Sequence, residues 1–521
     1  MADPRLSLSS KSFDEAPKDK EHGLDAVEDY DEESALPRVV TRDAEKIERI
    51  RTPLERLEVK WKDNDPENPY NWSTKKKSWI TFQLGMLALA GSAASAIIAP
   101  GEDQIAKEFN ISGEATVLTI SLYVTGFIIG PSIWAPISEL WGRRVSLLPA
   151  VLCLALLSVG TGASKSTASI MITRLLGGIF GAAPVSNVAA ALGDIWTAKV
   201  RGTAMSLYAI AVVGGPTLAP VLGGALTQTV SWRWTEYVQA IFTFVVFVLC
   251  CFCLPEVYAP YLLRKRAEKL RKETGDSRWY HPHEALHKEM TFKAVVTKHF
   301  ARPVKMLLTE PMVTCIALYA SFVFGILYMT LQFFPIVYHQ NRGWSLLNSC
   351  LPFAALFVGV LAALGINLSN QPRYARAVEK AGGKPVPEAR LPPMALGGFI
   401  FVIGLFVFGW TADPSIPWPV SVVAAGFIGA GFNTIFQQCI NFLVDTYRVY
   451  AASATSANTL LRSVLAAALP FAAAPMFNRL GPGVSMSILG AIAALALPVP
   501  FVFMKYGPAL RRMSKFAPVD E

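Results

Sequence analysis

SLLPAVLCLALLSVGTGAS, residues 146–164, contains no Asp, Glu, Lys or Arg. At about 1.5 Å of rise per residue, a helix of that length crosses most of a hydrocarbon core about 30 Å thick. The run is too long for a strand and lacks period-two alternation, which argues against a barrel wall. The same measure applied outward finds five more such runs in the first half of the chain, at 78–99, 115–137, 168–192, 203–227 and 236–254. After a polar stretch at 255–308, six follow at 310–338, 349–369, 392–411, 417–443, 452–476 and 485–504. The fold class is therefore an all-α membrane protein, with twelve transmembrane helices in two six-helix bundles.

Composition agrees. Of 521 residues 52% are hydrophobic and 17% charged, against roughly 25% charged in a soluble domain. So little charge cannot cover the surface of a soluble enzyme, whereas a bilayer removes that need. The seven cysteines (Cys153, Cys250, Cys251, Cys253, Cys315, Cys350 and Cys439) lie in apolar runs without metal spacing and read as small packing residues. The expected organisation is a disordered cytoplasmic tail over 1–75, an N-terminal bundle over 76–254, and a cytoplasmic loop over 255–308. A C-terminal bundle over 309–505 and a cytoplasmic tail over 506–521 complete it. No cleavable signal peptide is expected, because the first 60 residues have no apolar core.

Basic residues set the orientation. With a cytoplasmic N-terminus, roughly 29 Lys and Arg face inside, among them Lys75, Lys76, Lys77, Arg143, Arg144, Lys199, Arg201, Arg511 and Arg512. Only Lys107, Lys165, Arg233, Arg342 and Arg479 fall outside. Both termini are thus expected in the cytoplasm. The net charge of +9 is assigned to loops facing anionic lipid rather than to nucleic acid. In YLLRKRAEKLRKE (261–273), Leu262, Leu263, Ala267 and Leu270 share one helical face, which predicts a short helix lying on the cytoplasmic surface.

Several signals carry no chemistry. GTGASKST at 160–167 has Ser164 where a phosphate loop needs Gly, so no nucleotide site is expected. His281, His283 and His287 lack partner carboxylates, so no metal site is expected either. Arg174, in ITRLLGGIFGAAP, is different. A guanidinium at the bilayer centre costs on the order of 2.5–3.5 kcal/mol, so Arg174 should face a polar interior on the side of Gly178 and Gly181. The competing reading is an arginine snorkelling to the interface. GGPTLAPVLGG (Gly214 to Gly224) has two prolines and four glycines, which in a membrane kink a helix and permit close packing. Asn433, Gln437 and Asn441 recur at i, i+4 and i+8, forming one polar stripe. Tyr328, Gln332, Asn458 and Arg462 are candidates for the same cavity lining, with helix–helix hydrogen bonding the alternative for each. Asn110, in the sequon Asn110-Ile-Ser112, is the candidate glycosylation site. Asn71 and Asn367 head sequons predicted inside.

These motifs resemble the major facilitator superfamily over nearly all of residues 66–518. APISELWGRR (135–144) is similar to its first signature, with Ala135 for the leading glycine and Glu139 for the usual aspartate. The resemblance implies a gating charge pair between Glu139 and Arg143 or Arg144, around Gly142. Arg174 matches the fourth-helix arginine linked to proton transfer. Gly215, Pro216, Ala219, Pro220, Gly223 and Gly224 match the fifth-helix motif of drug–proton antiporters. NPYNWS (68–73), WRWTEY (232–237), LPEVYAPYLLRKRAEKLRKETGD (254–276), PEARLPP (387–393) and KYGPALRRMSKFAP (505–518) resemble the fungal twelve-helix subgroup. Members of that subgroup commonly carry an acid in the seventh helix where this chain has Gln332, which disfavours a polyamine-like cation.

The function these features imply is a proton-coupled efflux pump for hydrophobic or amphiphilic small molecules: a drug, a toxin or a secondary metabolite. It works in the plasma membrane as a monomer, without cofactors, on the proton gradient. Uptake by a symporter or facilitator of the same fold is the runner-up, and a non-transporting sensor comes third. The acids Glu102, Asp103, Glu139, Asp194, Glu236, Glu310 and Asp445 all fall near predicted helix ends, so periodicity does not single out a proton carrier.

Overall fold

The computed structural model describes residues 57–285 and 297–516. The first half consists of α1 (Thr74–Ala93), the short α2 (Glu102–Phe109), α3 (Leu118–Trp141), α4 (Arg143–Gly162), α5 (Thr167–Ile195), α6 (Ala198–Thr229) and α7 (Trp232–Cys253). After α8 (Ala259–Thr274) come α9 (Pro311–Phe334), α10 (Pro352–Lys380), α11 (Leu391–Thr411), α12 (Trp418–Tyr447), α13 (Ala451–Ala468), α14 (Pro470–Ala496) and α15 (Pro498–Met513). Gly481, at φ 75° and ψ 164°, breaks α14. The eleventh pass ends there and the twelfth starts at Pro482, giving twelve passes among the described residues.

Ten helical stretches are both long and apolar enough to cross a membrane. The other two passes are α1, which opens on TKKKS, and α13, which carries Asn458 and Arg462. In α13 the shortfall in apolarity is the site itself. Large apolar side chains such as Leu156, Val245, Phe252 and Trp410 point outward, as a lipid-facing surface requires and a soluble surface avoids.

The passes sort into two six-helix bundles. In the first, α1 packs on α5, α6 and α7, while α5 also packs on α3 and α4. In the second, α12 packs on α10 and α11, and α9 on α13 and α14. The bundles meet along two principal helix pairs, α3 with α13 and α6 with α10. Small residues set these distances. A Cβ on Gly126 of α3 would overlap the backbone of α5 at Gly178, the close approach that packing without a hydrophobic driving force relies on.

Three boundaries differ from the sequence expectation. Residues 57–73, expected in a disordered tail, are built: β1 (Leu57–Glu58) pairs in parallel with β2 (Trp279–Tyr280), and Asp65 is ion-paired to Arg266. Residues 1–56 of that expected tail lie outside the described residues, and 74–75 open α1. Secondly, the apolar face of α8 is covered by this same segment, since Leu263 and Ala267 pack on Val59. Val59 and Trp61 of that segment cover the face as lipid would. Thirdly, α15 runs to Met513 through Pro508, beyond the expected tail boundary at 506.

Candidate functional site

The chain of α1 leaves the helix at Ala93, which strands carbonyl groups inside the first bundle. In a bilayer each must find a protein donor. Arg174 of α5 supplies three bonds: Nε to Thr119 O at 2.7 Å, Nη1 to Ala94 O at 2.7 Å and Nη2 to Ser95 O at 3.0 Å. Tyr123 Oη donates to Gly91 O at 2.7 Å and Gln239 Nε2 to Ala90 O at 2.9 Å. The guanidinium also pairs with Glu236 Oε1 of α7 at 3.1 Å and lies over the Tyr123 ring at 4.5 Å. Arg174 is 2% exposed. It does not snorkel; it ties α1, α3, α5 and α7 to one buried ion pair. Glu236 Oε2 is buried without a hydrogen-bond partner. Sequence periodicity did not single Glu236 out, because it lies one turn into its helix. Only the tertiary position of Arg174 gives it a role.

Ser95 joins this hub to the second bundle. Its Oγ donates to Ser92 O and lies 2.9 Å from Tyr328 Oη of α9. One turn further along α9, Gln332 Nε2 donates to both carboxylate oxygens of Glu102, at 3.0 and 2.9 Å. Glu102 lies beyond the first span, at the start of α2. Burial pushes its carboxyl up to about 8, against the pull of the Gln332 bond. Tyr328 and Gln332 therefore hold the halves together. A pocket of about 170 Å³ opens beside them, lined by Glu102, Asp103, Gln332, His339, Phe471 and Asn478 among others.

The fifth-helix motif lies inside a continuous α6 that contains Pro216 and Pro220. Gly215 and Gly223 face α1 and its exit: a Cβ would overlap Ser92 on the first and Ile97 O on the second. Gly224 faces the other bundle, where a Cβ would meet Cys350 Sγ at 2.7 Å. Ala219 is buried with Ala93 and Ile97. The motif thus lets α6 touch both halves at the same end.

At the opposite end lies the segment in which a charge pair between Glu139 and Arg143 or Arg144 is expected. Arg143 pairs with Asp194 of α5, Nε to Oδ2 at 2.8 Å, and donates from Nη1 to Ser138 Oγ at 2.8 Å. Glu256, beyond α7, accepts from the backbone N–H groups of Arg143 and Arg144 at 2.9 and 3.0 Å. It thereby caps the start of α4 with a carboxylate, where the helix dipole favours one. Gly142, between the two helices, has φ 95°, and a Cβ there would strike Glu256. The Glu139 carbonyl accepts from His283 Nε2 at 2.7 Å.

In the second bundle the polar stripe is largely spent on helix–helix bonds. Asn433 Nδ2 donates to Val360 O at 3.1 Å, and Gln437 Oε1 accepts from Asn367 Nδ2 at 3.0 Å. Packing thus takes up one amide atom of each of these two side chains, while Asn433 Oδ1 and Gln437 Nε2 remain unpartnered. Asn441 is half-buried. Asn458 is buried with its Oδ1 unpartnered. Arg462 sits over the rings of Phe324 at 4.5 Å and Phe436 at 5.1 Å. Such desolvated cation–π contacts are worth about 2 kcal/mol each, and they stand in for the counter-ion that Arg462 lacks among the described residues. The helix pairing that brings Phe324, Phe436 and Arg462 together had no signal in the sequence.

Two bundles of six, a buried arginine on the fourth pass and a glycine–proline fifth pass agree with the family model that matches residues 84–470, the Major Facilitator Superfamily. The chain belongs to the major facilitator superfamily. It is 40% identical over 458 residues to "Efflux pump bik6" of Gibberella fujikuroi, covering 87% of this chain and 94% of that one. It is 39% identical to "Major facilitator superfamily multidrug transporter FLU1" of Candida albicans, covering 88% and 75%. Among solved structures, the inward-open xylose transporter XylE from E. coli matches with a TM-score of 0.59 at 18% identity, over 85% of this chain and 96% of that one. That likeness shows the superfamily fold. This chain is accordingly a multi-pass transporter and not an enzyme.

Proposed function

We propose that this protein exports hydrophobic or amphiphilic small molecules across the plasma membrane, exchanging them for protons by alternating access. The observation that carries the reading is the buried Arg174–Glu236 pair, one hydroxyl group away from the contact between the bundles. A proton arriving at Glu236 Oε2 cancels the charge that holds Arg174 Nη1. The guanidinium is then free to redistribute among the Ala94, Ser95 and Thr119 carbonyls, which moves the broken end of α1. Ser95, and through it Tyr328, moves with that end, so protonation biases how the two halves meet.

With the basic loops inside, both termini are cytoplasmic and the end bearing α2 faces out. Glu102–Gln332 and Gly224–Cys350 then close the outer side. One chain holds both halves of the route, so a monomer suffices, and the proton gradient supplies the energy without a cofactor. The relatives named as an efflux pump and a multidrug transporter favour export over the uptake reading. The test is purified protein in liposomes under an imposed pH gradient, with an amphiphilic fluorescent dye. Dye moves against the proton flux and stops when a protonophore is added. Movement indifferent to the gradient sinks proton coupling, and no movement of any amphiphile sinks export.

A further inference from the structure

Among the described residues, the half-buried and buried arginines are, with one exception, neutralised or bonded. Arg143 has Asp194, Arg174 has Glu236, Arg390 has Asp445 and Arg511 has Glu388. Arg342 donates to three carbonyl oxygens. Arg462 has neither an ion pair nor a hydrogen bond among the described residues. It is 6% exposed, and its Nε is wholly buried without a partner. An unpaired cation in the middle of a transporter persists only where something else offsets its loss of water. Here the rings of Phe324 and Phe436 do so from one face, leaving the planar fork of donors unused.

The surroundings point the same way. On α13, Asn458 Oδ1, an acceptor, lies one turn before Arg462 without a partner. Phe324 stacks on Phe436, and Phe432 on Phe436, with centroids 5.6 and 5.7 Å apart. These side chains come from α9, α12 and α13, which pack together. The one carboxylate buried within the spans among the described residues, Glu236, is committed to Arg174 in the other bundle.

We propose that Arg462 is the anion-recognition centre of the substrate site, and that the exported molecules are aromatic or conjugated organic acids carried as anions. This rests on the transporter reading and names its substrate class. A carboxylate, or an enolate of similar geometry, takes the guanidinium fork through two parallel N–H···O bonds. The flat body of the molecule lies against the Phe324–Phe432–Phe436 rings. Binding exchanges a cation–π contact for an ion pair, so only a ligand that brings its own negative charge gains the full benefit. A cationic amphiphile would meet Arg462 as a like charge and is excluded.

The experiment is equilibrium binding of three probes to the full-length protein in lipid nanodiscs: 2-naphthoate, neutral 2-naphthamide and a naphthyl-methylammonium cation. Naphthoate should bind at least about tenfold tighter than the amide, as a charge-assisted bidentate contact implies, and the cation should bind weakest. Arg462→Gln should reduce the acid-to-amide ratio to about threefold or less while leaving amide binding unchanged, a pattern that a purely structural arginine would not produce. Arg462→Lys keeps the charge but not the fork; it carries the test if the Gln variant does not fold. It should weaken acid binding severalfold with the amide unaffected. An acid that binds no tighter than its amide, or a ratio that neither variant alters, overturns the proposal. Transport is scored separately: acid-selective binding by a protein that moves nothing leaves the anion site standing and removes the export reading instead.

Discussion

Glu236→Gln changes one charge at the centre of the first bundle and almost nothing else. The amide keeps the volume and an acceptor for Arg174 Nη1, so the three carbonyl bonds of Arg174 and its stacking on Tyr123 stay in place. Two unit charges 3.1 Å apart attract by about 5 kcal/mol at an effective dielectric of about 20. Leaving the carboxylate buried costs several kcal/mol in the opposite direction. Those two nearly cancel, but Arg174 is left a buried cation without a counter-ion. The net loss is therefore expected near the lower end of the about 3–5 kcal/mol that breaking a buried pair costs, because its carbonyl bonds and the Tyr123 ring offset part of it. Arg174→Ala is a different perturbation. It strands the carbonyl groups of Ala94 and Ser95 beyond α1, at about 1–3 kcal/mol each, and removes a bond to Thr119 O, in a fold whose total margin is about 5–15 kcal/mol. The alanine variant should therefore lose most of its folded protein in a detergent thermal-shift assay, while the glutamine variant melts within a few degrees of the parent. In liposomes, Glu236→Gln should abolish accumulation driven by a pH gradient yet retain exchange of labelled for unlabelled substrate without a gradient. Gradient-driven accumulation at the parental rate in Glu236→Gln would refute the assignment of Glu236 as the proton carrier.

Three further outcomes are expected. The Glu102 carboxyl sits at about 8 with the α2 end closed, and opening that end to water returns it toward its ordinary 4.5. Closure is therefore favoured in full below about pH 4.5, and the advantage is lost as pH rises through about 8. Maleimide labelling of the buried Cys350 should rise across that window, with Asp103 and His339 sharing the pocket, and should be flat in Glu102→Gln. Gly224→Val puts a side chain against Cys350 Sγ, so Cys350 should label quickly even at acid pH; unchanged labelling would show that α6 does not close this end. Asn110 is exposed at the end of α2, whereas Asn367 is 4% exposed and bonded to Gln437. Mass spectrometry of protein from a eukaryotic host should find no glycan on Asn367 or Asn71, and a glycan on Asn71 would reverse the orientation.

The passes were legible because the bilayer imposes a length and an apolarity on each segment separately, and a run such as 146–164 meets both without reference to its neighbours. The same holds for the glycines of α6, whose small size is itself the signal. Arg174 could be singled out because an arginine in an apolar run is costly wherever it points. Its partners could not. Glu236, Ser95 and Tyr123 come from three other helices, and the break in α1 that calls for a capping arginine follows from packing rather than from any residue that breaks helices. The stripe Asn433–Gln437–Asn441 was visible as a period, but a period states only that side chains share a face. Which neighbour that face meets decided that Asn433 and Gln437 bond to α10. Arg462 shows the division most clearly: sequence determines that a cation lies on the eleventh pass, because charge belongs to the residue. That it has two aromatic rings and no carboxylate beside it belongs to the assembled bundle, because pairing depends on distances between helices far apart along the chain.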